Sequence, residues 1–145
     1  MKVLLQVVNS ASVTIEGNVH SKINDGYLLF VGIGKEDDEK KVKDMATKIS
    51  KLRVLPDENG KTNLDIFSTN GEILSISQFT LYANTNGSNR PDFLNAAGKD
   101  KALLLYNMFN EELRNKGLNV EEGIFGADMK VNLENNGPFT ILLEI

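Results

Sequence analysis

The first third of the chain carries the apolar patterning of β-strands. Val3 to Val8 is apolar and β-branched, interrupted only by Gln6. Ser12-Val13-Thr14-Ile15-Glu16 alternates, Gly17-Asn18 supplies a turn, and Val19 to Ile23 continues as a strand. After a second turn at Asn24-Asp25-Gly26, the unbroken run Tyr27 to Ile33 has the length and character of a strand buried on both faces.

The period then changes. Val42, Met45, Ala46, Ile49 and Leu52 recur at three- and four-residue spacing, and acids at Glu36 to Glu39 stand where a helix N-terminus favours them. Pro56-Asp57-Glu58-Asn59-Gly60 reads as a turn between short strands, and a further strand is expected from Ile73 to Tyr82. Asn84 to Pro91 is a polar loop. A second helix is expected from Lys99 to Lys116, with Ala102, Leu105, Tyr106, Phe109 and Leu113 on one face and Gly117 at its end. Strands over Val120–Phe125, Met129–Leu133 and Phe139–Ile145 complete the pattern. The expectation is an α+β fold, one domain over residues 1–145, with two long helices and a largely antiparallel sheet.

Composition narrows the chemistry. Among 145 residues there is one His and no Cys, which removes disulfides, thiol nucleophiles and multi-histidine metal cages. No cofactor or metal is expected. Asp37-Asp38 reads as helix N-terminal charge sooner than as a metal site, and His20 as an exposed strand residue. The start of the chain reads as a strand sooner than as a signal peptide, no run approaches a membrane span, and the expected location is cytoplasmic. The net charge of −4 argues against bulk electrostatic binding of nucleic acid. That charge is uneven: Lys40 to Arg53 has six basic residues and one acid, whereas Glu111 to Ile145 has seven acids and three bases.

Two segments depart from ordinary core patterning. Ser77-Gln78-Phe79-Thr80-Leu81-Tyr82-Ala83 places polar Ser, Gln and Thr at the end of an apolar strand, which fits either a delivered site or a half-exposed strand. Asn135-Asn136-Gly137-Pro138-Phe139-Thr140 carries a turn signal, and X-Pro bonds are the ones that adopt the cis form. No nucleophile elbow, phosphate-binding loop or dinucleotide fingerprint is present.

Taken together, in this order and spacing, those segments make the chain resemble the D-aminoacyl-tRNA deacylase (D-tyrosyl-tRNA deacylase) family. Ala11-Ser12-Val13, Asn89-Arg90-Pro91-Asp92-Phe93 and Gly126-Ala127-Asp128-Met129 add to the likeness, which covers Met1 to Ile145. The resemblance implies a compact β/β/α domain acting as a homodimer. It implies hydrolysis of the ester between a D-amino acid, or mischarged glycine, and the 3′ end of tRNA, sparing the L-form. It further implies that Gly137 and Pro138 enter the partner subunit's pocket and select chirality. A rigid backbone wall suits that task, because Gly137 allows close approach and Pro138 fixes φ.

Within that resemblance two schemes stand for catalysis. Thr80 is the candidate nucleophile, yet no base to activate it is evident. Alternatively the ribose 2′-OH assists water, and the N–H groups of Phe79 and Thr80 stabilise the oxyanion. Ser77 and Gln78 are expected to position the substrate, and Phe125 and Met129 to line the pocket or the core. One family feature is missing: an Arg that follows the first strand's Gln and steadies the Gly-Pro segment is here Val7, after Gln6. A non-hydrolytic nucleic-acid binder and a small esterase without a tRNA substrate are the rival readings.

Overall fold

A computed structural model describes residues 1–145. Strand β1 (Lys2–Ile15) is one 14-residue strand where the sequence pattern predicts two. The pattern breaks because the strand changes face: Val3, Leu5 and Val7 enter one core cluster, whereas Val8, Ala11 and Val13 enter another. Irregular register around Gln6–Val8 and Val8–Ser10 absorbs the change, since an extra residue in a ladder reverses which side chains point inward.

Strands β2 (Asn18–Ile23) and β3 (Gly26–Gly32) pair antiparallel with the second and first halves of β1. From β3 the chain passes through α1 (Glu39–Ser50) and a hairpin of β4 (Leu55–Pro56) and β5 (Thr62–Leu64) to β6 (Glu72–Ser77). It then runs through α2 (Lys99–Asn115) to β7 (Val120–Glu122), shorter than predicted, and ends in β8 (Lys130–Glu144). The sheet is antiparallel around β1, as expected, but β3–β6 and β6–β7 are parallel. Parallel neighbours need crossover connections, and the segments carrying the two helices supply them.

Two strand boundaries differ from the sequence reading for a hydrogen-bonding reason. The strand expected to reach Tyr82 stops at Ser77. Gln78 N–H still donates to Val31 O at 2.8 Å, but β3 ends one residue later, and Phe79–Tyr82 turns into a single 3-10 coil. The turn expected at Asn135-Asn136-Gly137-Pro138 is absent: the two strands expected on either side of it merge into one, β8, from Lys130 to Glu144, which continues through the segment.

Both helices lie on one face of the sheet. Val42, Met45, Ala46 and Ile49 of α1, with Leu105, Tyr106, Phe109 and Leu113 of α2, close over Val3, Leu5, Val7, Tyr27, Leu29 and Ile73. The other face is covered by the sheet curling on itself, which packs Leu28, Leu74 and Ile76 against Val8, Val13 and Ile23. Tyr27 and Leu28, adjacent in β3, therefore serve opposite layers, as a two-residue period requires. No helix is long and apolar enough to cross a membrane.

Asp38 caps α1, accepting from Lys41 N–H at 2.9 Å. Asp37 does something the sequence did not reveal. It is buried, and its carboxylate accepts from the Met1 ammonium at 2.5 Å, Gly34 N–H at 2.6 Å, Lys41 Nζ at 3.3 Å and Tyr82 Oη at 3.3 Å. Burial pushes this carboxyl up, but the ammonium, the Gly34 N–H and Lys41 outweigh burial and hold it below the ordinary carboxylate value. A depressed carboxyl contributes stability above its unfolded pKa and loses it as pH falls through the folded one. Asp37→Asn should thus cost about 3 kcal/mol at pH 7, the scale of a broken buried pair. In urea denaturation the gap to wild type should persist down to about pH 5 and shrink by pH 3.

Candidate active site

Where β6 ends, beside the end of its parallel neighbour β3, a cavity of about 350 Å³ opens. Carboxyl ends of parallel strands leave such crevices, because the chain must turn away there toward its crossover. Ser77, Gln78 and Phe79 form one side and Phe125, Gly126, Ala127, Asp128 and Met129 the other, with Ala102 and Tyr106 of α2 also contributing. Of its fourteen lining residues ten are apolar, so polar contacts are few and oriented.

The cavity walls are anchored from behind. Tyr106 donates to Ser75 O at 2.8 Å, and its ring stands 6.0 Å from that of Phe125. Burial pushes the Tyr106 phenol up, so it stays a neutral donor. Phe79, 56% exposed at the rim, meets Phe93 edge to face at 4.9 Å. The 3-10 turn is tied down at its far end, where Tyr82 reaches Asp37. A Cβ at Gly34 would fall 2.6 Å from the Tyr82 hydroxyl, which explains why no side chain is accommodated there.

Thr80 is exposed and does not line the cavity. Its hydroxyl accepts from Gln78 Nε2 at 2.5 Å, and no imidazole, amine or carboxylate bonds to it. His20 is exposed on β2, outside the cavity lining. The N–H groups of Phe79 and Thr80 are the ones that begin the 3-10 turn, where a helical coil has no internal acceptor to offer. Neither finds a backbone acceptor elsewhere. Ser77, Gln78, Phe79, Phe125 and Met129 thus share one cavity; Thr80 stands beside it. No three His, Cys, Asp or Glu side chains converge as metal ligands would.

Gly137 and Pro138 are elsewhere. In the ladder with β1, Gln6 faces Thr140 and Val8 faces Asn135, so Asn136 to Phe139 form an outward bulge opposite Val7 alone. The Gly137-Pro138 bond is cis, Gly137 has φ +131°, and both residues are exposed. Only glycine tolerates that φ comfortably. Phe139 tucks back against the main core. Val7 itself is buried in that core, 3% exposed. The bulge is stapled by other groups. Asn135 Oδ1 accepts Phe139 N–H at 3.1 Å, and Thr140 Oγ1 accepts from Asn135 Nδ2 at 2.9 Å and from Gln6 Nε2 at 3.1 Å.

The basic run in α1 is partly consumed internally. Lys40 pairs with Asp44 at 2.6 Å, Lys41 with Asp37, and Arg53 with Asn63, while Lys43, Lys48 and Lys51 remain exposed without an acidic partner. Sequence patterning did not mark Asp37, Tyr82, Ala102 or Tyr106 for the site. Asp37 resembled helix-terminal charge, Ala102 and Tyr106 looked like core, and Tyr82 lay in the Ser77–Ala83 segment without a role of its own.

Comparison with known proteins places the geometry. Residues 4–144 match the family model described as D-Tyr-tRNA(Tyr) deacylase. The chain is 54% identical to the D-aminoacyl-tRNA deacylase of Lactobacillus gasseri over 145 residues, covering all of both chains. It is 51% identical to that of Bacillus velezensis, covering 99% of this chain and 98% of the relative. Among solved structures it superposes with a TM-score of 0.94 on one titled c-Myc DNA Unwinding Element Binding Protein, at 41% identity over 100% of this chain and 99% of that one. A probable eukaryotic D-amino acid tRNA deacylase shares the fold, with a TM-score of 0.88 at 14% identity over 99% and 98% of the two chains.

The staple predicts a stability effect. Asn135→Ala removes both Asn135 side-chain bonds and should lower unfolding free energy by about 1–2 kcal/mol. A urea midpoint equal to wild type would show that the bulge holds its shape without them.

Proposed function

This chain belongs to the D-Tyr-tRNA(Tyr) deacylase family, and on that premise we propose that it hydrolyses the ester joining a D-amino acid to the 3′-terminal adenosine of tRNA. The observation that carries the reading is the apolar cavity at the end of β6, edged by Ser77, Gln78 and Phe79. An apolar cleft with a few fixed polar groups suits a nucleoside carrying an ester. Ser77 and Gln78 position that ester, and Phe125 and Met129 give the base and side chain an apolar surface.

For the chemistry we favour substrate-assisted hydrolysis. Thr80 has an amide for a neighbour and no base, which argues against a nucleophile. The Phe79 and Thr80 N–H groups are free to receive the developing oxyanion. The vicinal 2′-OH of the terminal ribose orients the attacking water. An aminoacyl ester is already activated, so positioning carries much of the acceleration.

Selectivity arises between two copies of the chain. β8 pairs only with β1, and its bulge leaves Gly137-Pro138 exposed and outside the lining of its own cavity. In a homodimer each bulge enters the other subunit's pocket and faces the substrate α-carbon. Its backbone then occupies the space an L side chain would need, while a D-amino acid, or glycine with no side chain, is accepted. The protein acts in the cytoplasm, where aminoacyl-tRNA is made, as a chiral proofreader of translation. It holds the tRNA mainly at the 3′ end, with a few phosphates at most on the exposed lysines of α1.

The test is release of free D-Tyr from D-Tyr-tRNA by the purified protein. Thr80→Ala should keep turnover within about threefold of wild type, whereas loss of a nucleophile would cost several orders of magnitude. A substrate ending in 2′-deoxyadenosine should be inert. Normal hydrolysis of that substrate would remove the 2′-OH from the scheme, and inactivity of Thr80→Ala would restore Thr80 as nucleophile.

A further inference from the structure

At about 350 Å³ the cavity is at the small end of ligand pockets, so a nucleic-acid strand whose terminal nucleoside enters it leaves its remainder on the surface. An apolar step adjoins the rim. Phe79 lines the cavity and is 56% exposed. Phe93, outside the lining and half-buried, meets it edge to face at 4.9 Å, and Leu94 beside it in sequence is 69% exposed. An edge-to-face pair covers at most one face of one ring, so aromatic surface stays open. The segment bearing Phe93 is held in place. Asn84 and Asp92 exchange backbone hydrogen bonds at 2.9 and 3.0 Å, Asn84 Nδ2 donates to Asp92 Oδ2 at 2.9 Å, and Ala96 N–H donates to Phe93 O at 3.0 Å. The loop closed by these bonds carries the exposed Arg90. Its backbone N–H is bonded to Ser88 Oγ at 3.1 Å, and its guanidinium is unpaired. The nearby Asp92 carboxylate is engaged by Asn84 and by Leu94 N–H at 3.2 Å.

Single-stranded nucleic acid is gripped without regard to sequence by stacking bases on aromatic rings and by pairing phosphates with basic side chains. We propose that Phe79, Phe93 and Arg90 form a subsite for the nucleotide that precedes the terminal adenosine. Its base stacks on the Phe79–Phe93 step, and the phosphodiester that joins it to the adenosine meets Arg90. Continuity selects this occupant. Phe79 belongs to the cavity and to the step at once, and the strand that ends in the cavity is the one tethered over it. The opposite rim carries Asp128 paired with Lys130 at 2.8 Å, a neutral couple with no net pull on a phosphate. The subsite favours esters carried on an oligonucleotide over esters of a free nucleoside. It rests on the deacylase reading above and extends recognition by one nucleotide.

The experiment measures KM and kcat on two synthetic esters, D-tyrosyl-adenosine and D-tyrosyl-cytidylyl-adenosine, which differ by that one nucleotide. Wild type should show a KM about tenfold lower on the dinucleotide, the order expected of one stacked base, with kcat unchanged. Phe93→Leu keeps an apolar side chain without a ring; it should lose this gain and leave D-tyrosyl-adenosine unaffected. Phe93→Tyr keeps the ring and should retain the gain. Arg90→Gln should reduce the slope of log KM against log salt on the dinucleotide by about 0.7, one phosphate on a single strand, and leave the nucleoside ester unchanged. Equal wild-type KM on the two esters overturns the subsite, and so does a Phe93→Leu rise of the same size on both. Turnover of D-Tyr-tRNA with neither ester accepted overturns it too, because recognition would then lie in the body of the tRNA. Absence of wild-type turnover on D-Tyr-tRNA and on both esters would instead overturn the deacylase reading and the subsite with it.

Discussion

Backbone pairing along β1 and β3 governs where everything else in this molecule can stand. Each strand of the sheet must satisfy its N–H and C=O groups, and it does so until a neighbour runs out. β3 ends at Gly32, so β6 can donate once more through Gln78 and must then turn. That turn supplies the rim of the cavity and N–H groups without internal acceptors. β8 departs from the ladder for a different reason: Asn136 to Phe139 crowd opposite the single residue Val7, and the excess chain is pushed outward. The two departures create the two halves of the proposed site, one receiving and one inserted.

Such departures are expensive unless something holds them, and here two polar networks do. Asp37 gathers the chain start, the segment after β3, the first turn of α1 and the last residue of the 3-10 coil onto one buried carboxylate. Asn135, Thr140 and Gln6 close the base of the β8 bulge. Neither network touches the cavity. Each fixes a piece of backbone whose geometry the proposed chemistry uses, and few functional side chains are then needed.

Much of this was legible in the chain. The helices announced themselves by spacing, Tyr27–Ile33 by its unbroken apolar run, and Ser77–Phe79 and Gly137-Pro138 by residues that do not belong in a core. What escaped were effects of pairing between distant segments. Val3–Val8 and Ser12–Glu16 looked like separate strands because a face change and a chain break produce the same interruption of period. Asn135–Pro138 looked like a hairpin turn because the same residue types make turns and bulges. The parallel order of β3, β6 and β7 depends on which strands meet, which local pattern does not encode. The absent Arg at position 7 left the bulge without an evident brace, and only the register with β1 shows that Asn135 and Gln6 reach Thr140.

Net charge proved a weak guide to the ligand. A total of −4 coexists with exposed lysines on α1 and a nearly uncharged cavity, so the proposed recognition rests on shape and a few directed contacts at the 3′ end. The central claim is that a backbone wall contributed across a dimer makes this cavity a chiral filter on aminoacyl-tRNA. Its most direct test is the ratio of first-order hydrolysis rates for D-Tyr-tRNA and L-Tyr-tRNA, measured side by side with the same protein preparation. The account predicts rapid release of D-Tyr and a rate for the L-form close to spontaneous hydrolysis. Comparable enzymatic rates for both enantiomers would contradict it.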